Sequence, residues 1–260
     1  MTDRRQRQKE ARAAKKAAER KAAQRKELGR RVGTAVIFGL VVVGAIVVLT
    51  LVNSGDEVAS AYETLRDQET ACGGTQPDPV ERMTFDAPAP QSDVTPSSVV
   101  RATITTSCGD LVVELDPAEF PQTVNSFVFL AREGFYDGIP FHRIYSDLVI
   151  QGGDPNADGT GGPGYTVADE RPSGDFEFEP GVVAMANAGS RTTGSQFFVV
   201  VHENGSLLTR SFNVLGRLVE GEDVIDRILE IETVKPPGSA EQSFPLETVY
   251  IESVTIETTG

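Results

Sequence analysis

FHRIYSDLVIQGGD, residues 141–154, decides how the rest of the chain is read. Two short apolar strand pieces, 141–144 and 148–151, flank a polar turn at Tyr145, Ser146 and Asp147, and the stretch closes on Gly152, Gly153 and Asp154. Inside this apolar frame sit His142, Arg143 and Gln151. A guanidinium among strand-forming residues is uncommon, because Arg is almost never buried without a partner. Either it is a salt-bridged or snorkelling side chain at a strand end, or it is held there for a chemical purpose. The stretch alone leaves both open.

Working outward, residues 101–107 alternate β-formers, Cys108, Gly109 and Asp110 supply a turn, and 111–115 resume, a hairpin signature. Pro121 suits the first turn of a helix, whose apolar face continues through Val124, Phe127, Val128 and Ala131 to Gly134. Downstream come a Gly-rich loop at 158–164, apolar runs at 182–186, 197–201 and 214–218, a helix over 222–231, and an alternating last strand at 248–256. Many short strands with two helices predict a closed or nearly closed antiparallel β structure for residues 99–260.

The net charge of −14 hides a sharp split. Residues 1–31 carry thirteen Lys and Arg against four Asp and Glu, whereas residues 54–260 carry eleven against thirty-four. An acidic body argues against nucleic acid as a partner, since a phosphate backbone requires a basic surface. Between the two lies VGTAVIFGLVVVGAIVVLTLV, residues 32–52, which is uncharged and matches a hydrocarbon core of roughly 30 Å. We expect an uncleaved single span contacting membrane lipids; as a signal-peptide cleavage site Val58 to Ala61 is only a poor candidate. The basic residues before it place the N-terminus in the cytoplasm and the body outside. Residues 53–98 then read as a short helix followed by a Pro-rich stretch, either a tether or a strand-like arm along the domain.

Several chemical signals fail. Residues 159–164 match a dinucleotide fingerprint literally, but Pro163 interrupts them and no apolar helix follows. Two His and two Cys lack metal-ligand spacing, so no metal is expected. No nucleophile-elbow pattern exists. Cys72 and Cys108 are expected to pair in an oxidising compartment, the alternative being two unpaired thiols.

FHRIYSDLVIQGGDP (141–155), GTGGPGY (159–165) and GVVAMANAGSRTTGSQFFVVV (181–201) together resemble the cyclophilin family of peptidyl-prolyl cis-trans isomerases, over about residues 99–260. The anchor and Pro-rich stretch resemble its membrane-attached branch in high-GC Gram-positive bacteria. The resemblance implies an eight-stranded antiparallel barrel closed by two helices, a groove on its outer face for proline-containing peptides and unfolded proteins, and no cofactor. Arg143 falls on the family's catalytic arginine, Gln151 on its supporting amide, and Phe198 on the floor of the proline pocket. His142, Leu148, Val149, Met185, Ala186, Asn187, Gln196, Leu207, Leu208 and Phe212 fall on other groove positions, with Met185 reading as core lining that keeps some pocket contact and His142 as a partly satisfied structural histidine rather than an acid or base. Leu148 stands where many members have Phe, Leu207 where animal members carry Trp, and Phe212 where they carry His. These departures imply weak cyclosporin binding. The expected function is isomerisation of X–Pro bonds in extracytoplasmic proteins, the alternative a tethered peptide-binding module or holdase.

Overall fold

The computed structural model describes residues 60–79, 82–86, 89–90, 92–236 and 239–259. The basic segment 1–31 and the expected span 32–52 lie outside the described residues. Among the described residues no helix is long and apolar enough to cross a membrane.

Strand β1 (Val99–Thr106) and β2 (Gly109–Leu115) form the expected hairpin. Helix α2 (Pro121–Arg132) follows, numbered after α1 (Ala61–Arg66) in the N-terminal segment. Then come β3 (Arg143–Tyr145), β4 (Val149–Gly152), β5 (Val182–Met185), β6 (Phe197–Val200) and β7 (Val214–Glu220). Helix α3 (Glu222–Leu229), a two-residue pair β8 (Thr233–Val234) and β9 (Phe244–Pro245), and β10 (Ile251–Thr259) complete the chain. Eight strands make one antiparallel sheet in the order β10-β1-β2-β7-β5-β6-β4-β3. An isolated bridge between Pro140 and Tyr250, flanked by hydrogen bonds from Phe141 N to Val249 O and from Ile251 N to Ile139 O, joins the two edges and curls the sheet round on itself.

Period-two alternation explains the two cores. Ile144, Ile150, Val183, Met185, Phe197, Val199 and Leu215 point into the curl, where they meet Phe127, Tyr136 and Phe141. The intervening positions Val149, Phe198, Val200, Val182, Ala184 and Val214 form a second, outer cluster with Phe120, Phe178 and Phe212. Strands β4, β5 and β6 are therefore buried on both faces, and they read as continuous apolar runs rather than alternating ones. Helix α2 lies against β10 and α3 against β2. Phe120 gives α2 no side-chain cap, so Glu170 from a distant loop supplies the acceptors: it takes Gln122 N at 3.0 Å and Thr123 N at 2.7 Å.

Between the two readings offered for the N-terminal segment, the described residues form an arm laid on the barrel. Helix α1 opens with a Ser60–Glu63 capping box and buries Leu65 completely. Ala71 N donates to Thr248 O at 3.0 Å and Thr248 N to Glu69 O at 2.9 Å. Cys72 and Cys108 are disulfide-bonded, with Cα atoms 5.1 Å apart. Further along, Phe85 N donates to Pro163 O at 2.8 Å, and Asn125 accepts from Ser92 N and donates to Pro90 O.

Candidate active site

Register builds the site. Arg143 on β3 lies opposite Gln151 on β4, Gln151 opposite Phe198 on β6, and Phe198 opposite Ala184 on β5. Cross-strand partners share a face, so this row runs across the outer surface of the sheet. There Arg143, Leu148, Val149, Gln151, Ala186, Phe198, Leu208 and Phe212 line one notch. Its floor is braced from behind: the Phe198 ring packs edge-on to Phe212 at 5.3 Å, and Phe178 lies 6.4 Å from Phe198.

The guanidinium is clamped. Nε donates to Glu241 Oε1 at 2.7 Å and Nη2 to Glu241 Oε2 at 2.9 Å, a bidentate pair. Nη1 donates to Gln151 Oε1 at 3.2 Å. Gln151 Nε2 then donates to Gln196 Oε1 at 3.0 Å, and Gln196 Nε2 to Gly161 O at 2.9 Å. The charge at one end fixes both amide orientations, since a flipped Gln151 would set its NH2 against the guanidinium. Arg143 has five N–H donors, of which three are committed, leaving one on each terminal nitrogen. Burial opposes ionisation of Glu241, but the hydrogen bonds and charge of Arg143 more than offset it and hold the carboxyl below its ordinary 4.5.

Three of the expected groove positions lie away from the notch. Met185 sits one position from Ala184 and Ala186, so alternation sends it to the interior core, where it is 1% exposed. Leu207 ends a 3-10 turn, Glu203–Leu207, and stays half-buried outside the notch; Leu208, in extended backbone immediately after, lines it instead. His142 precedes β3, lines neither the notch nor the cleft beside it, and leaves Nδ1 without a partner. Burial pushes this imidazole below 6.5; the nearby Asp154 opposes that shift and the Arg143 charge adds to it. Asn187 and Gln196 lie in the adjoining cleft. The Asn187 side chain is held in place by donating to Ser211 O and accepting from Gly189 N. Among the described residues no group of three or more His, Cys, Asp or Glu side chains is placed to hold a metal ion.

The sequence model of the cyclophilin type peptidyl-prolyl cis-trans isomerase/CLD family matches residues 101–256. The chain belongs to this family. As a cyclophilin it is a peptidyl-prolyl cis-trans isomerase. It is 41% identical over 175 residues to peptidyl-prolyl cis-trans isomerase B of Streptomyces anulatus, covering 60% of this chain and 96% of that one. It is 37% identical over 177 residues to peptidyl-prolyl cis-trans isomerase A of Mycobacterium tuberculosis, covering 62% and 94%. A cyclophilin type isomerase of Cryptosporidium parvum, whose crystal structure was obtained in the presence of the dipeptide Ala-Pro, superimposes with a TM-score of 0.54 at 25% identity over 61% of this chain and 99% of that one.

Within this cyclophilin, sequence reading missed Glu241, Phe178 and the arm residues beside the site. Phe178 carried a weak signal, an apolar residue in a Pro- and Glu-rich loop. Glu241 carried none, because its place depends on the β8–β9 pair and on the Ile144 N to Ser243 O bond that ties this segment to β3.

Proposed function

We propose that this cyclophilin is a single-pass membrane protein of the high-GC Gram-positive type, with its N-terminus in the cytoplasm. Its isomerase domain acts on proteins folding outside the cytoplasmic membrane, and Arg143 stabilises the twisted X–Pro bond. The observation that carries the mechanism is a clamped guanidinium with two uncommitted donors at the edge of an apolar notch.

Rotation about an X–Pro bond meets a barrier of roughly 18–20 kcal/mol from amide resonance. No bond breaks and no proton has to move. Twisting removes the conjugation, so the proline nitrogen gains a localised lone pair in the transition state. A donor aimed at that nitrogen binds the twisted amide better than the planar one, which is what acceleration requires. Arg143 is permanently charged and rigid, and Glu241 and Gln151 fix the plane of its fork. The apolar notch formed by Phe198, Leu148, Leu208 and Phe212 receives the pyrrolidine ring while the preceding residue turns. Ala186 and Asn187 offer main chain to hold the peptide alongside. The residue departures around Leu207 and Phe212 support weak cyclosporin binding. The anchor rests on the apolar run 32–52 and the basic residues before it.

The test is isomerisation of an Ala-Pro peptide followed by NMR exchange, with Arg143→Ala expected to lose about 100- to 1,000-fold in rate. An unchanged rate would rule out this role for Arg143. Cell fractionation with protease accessibility tests the topology: the domain should be cleaved from outside intact cells. The tethered holdase reading instead requires Arg143→Ala to keep full biological activity.

A further inference from the structure

Beside the proline notch lies a larger cleft of about 890 Å³, and part of its wall does not come from the residues that define the family. Arg82, Met83 and Thr84 of the arm line it together with Asn156 and the Gly-rich loop. The cleft and the notch are continuous: Ala186 lines both, and the Gln151–Gln196 hydrogen bond links one to the other.

The arm is seated here by specific contacts. Phe85 N donates to Pro163 O, and the Phe85 ring packs 4.9 Å from Phe129. Gly164 has φ +90°, and a Cβ at that position would meet Phe85 O at 2.7 Å, so the loop accepts the arm only as glycine. Arg82 Nη1 donates to Asn156 Oδ1 at 2.6 Å, and its guanidinium lies 5.1 Å over the Tyr62 ring. Arg82 is thus held from both the arm and the loop after β4. Among the described residues it is the only charged side chain in the cleft lining.

We propose that the arm is part of the substrate-binding surface, and that Arg82 is a specificity-determining residue favouring peptides with an acidic side chain near the isomerised proline. This rests on the reading that the notch takes the proline ring. A peptide so placed passes Ala186 and sends a flanking side chain into the cleft. A carboxylate there meets a fixed guanidinium with donors to spare. The rest of the domain is strongly acidic, thirty-four Asp and Glu against eleven Lys and Arg over residues 54–260, and repels acidic peptides in general. The preference is therefore a local inversion of the global charge.

The experiment uses the full chain in detergent micelles and peptides carrying Glu, Gln or Lys at each of two positions on either side of an X–Pro bond. The readout is the Glu-to-Lys ratio of kcat/KM from NMR exchange, taken within each variant so that loss of overall activity cannot mimic loss of preference. At one position the ratio should be about three- to five-fold, the size of a partly exposed ion pair, and should approach one in 1 M salt. Arg82→Lys should keep most of it, Arg82→Gln abolish it, and Arg82→Glu invert it. A chain active on all peptides without charge preference, or an Arg82→Gln ratio equal to that of the parent, overturns the proposal and leaves the notch assignment standing. A chain inactive on every peptide overturns the notch assignment and this proposal with it.

Discussion

Removing the Glu241 carboxylate should disarm Arg143 without touching it. In Glu241→Ala the guanidinium loses both strong contacts, at 2.7 and 2.9 Å, and keeps only the 3.2 Å bond to Gln151. The two side chains are 17% and 24% exposed, between a rim ion pair and a sealed one. Breaking such a pair costs about 1–3 kcal/mol, below the 3–5 of a fully buried pair. Much of that loss falls on placement of the fork, so kcat/KM should drop about 10- to 50-fold, or 1.4–2.3 kcal/mol of transition-state stabilisation. Glu241→Gln, which keeps an acceptor for one nitrogen, should fall between parent and Ala. Isomerisation rates at fixed temperature give the comparison, with urea unfolding alongside. The carboxyl of Glu241 titrates below its ordinary 4.5 when folded, so the stability it contributes is present above that value and is lost as pH falls through the depressed one. The parent's stability advantage over Glu241→Ala should vanish in that acid range. If Glu241→Ala retained parental kcat/KM while Arg143→Ala lost activity, the clamp would have no part in positioning.

Three further outcomes follow from the packing. Replacing Cys72 and Cys108 by Ser opens a closure spanning 36 residues, and chemical denaturation should register a loss of about 3–4 kcal/mol; a loss under 1 kcal/mol contradicts the cross-link's role in pinning the arm. Leu208→Ala, at the half-buried wall of the notch, should raise KM several-fold, whereas Phe198→Ala should also cost about 3–5 kcal/mol in unfolding experiments because its ring is 4% exposed. His142 titrates below 6.5 when folded, so the unfolded chain binds the extra proton first: stability should decline as pH falls below 6.5 and level off beneath the depressed value. His142→Gln should flatten that slope in pH-dependent melts.

Most of the sheet could be read from the chain because alternation and turn residues carried it. Residues 101–115 announced their hairpin, and Pro121 announced α2 within one residue of its start. The eight notch residues named from the resemblance converge because Arg143, Gln151 and Phe198 fall into one cross-strand row, a matter of register between strands far apart in sequence. Met185, one position from the notch residue Ala186, joins the core as its reading as core lining expected, because a single step along a strand reverses the face. What stayed invisible was the contribution of irregular segments. Glu241 reaches Arg143 across a separation of 98 residues through a loop with no periodicity, and residues 82–85 gave no sign that a Pro-rich stretch would border the cleft.

Helix α1, which begins after Ser60, is fastened to the barrel through its buried Leu65, whose carbonyl accepts from Thr248 Oγ1, so only residues 53–59 lie in sequence between that helix with its cap and the apolar run ending at Val52. Seven residues drawn out fully reach about 25 Å at most. With the proposed anchor in the bilayer, that leash is too short for the domain to search the surrounding medium. On that proposed topology clients are met close to the lipid surface, and the enzyme's reach is bounded by the number of residues before the arm rather than by the prolines within it.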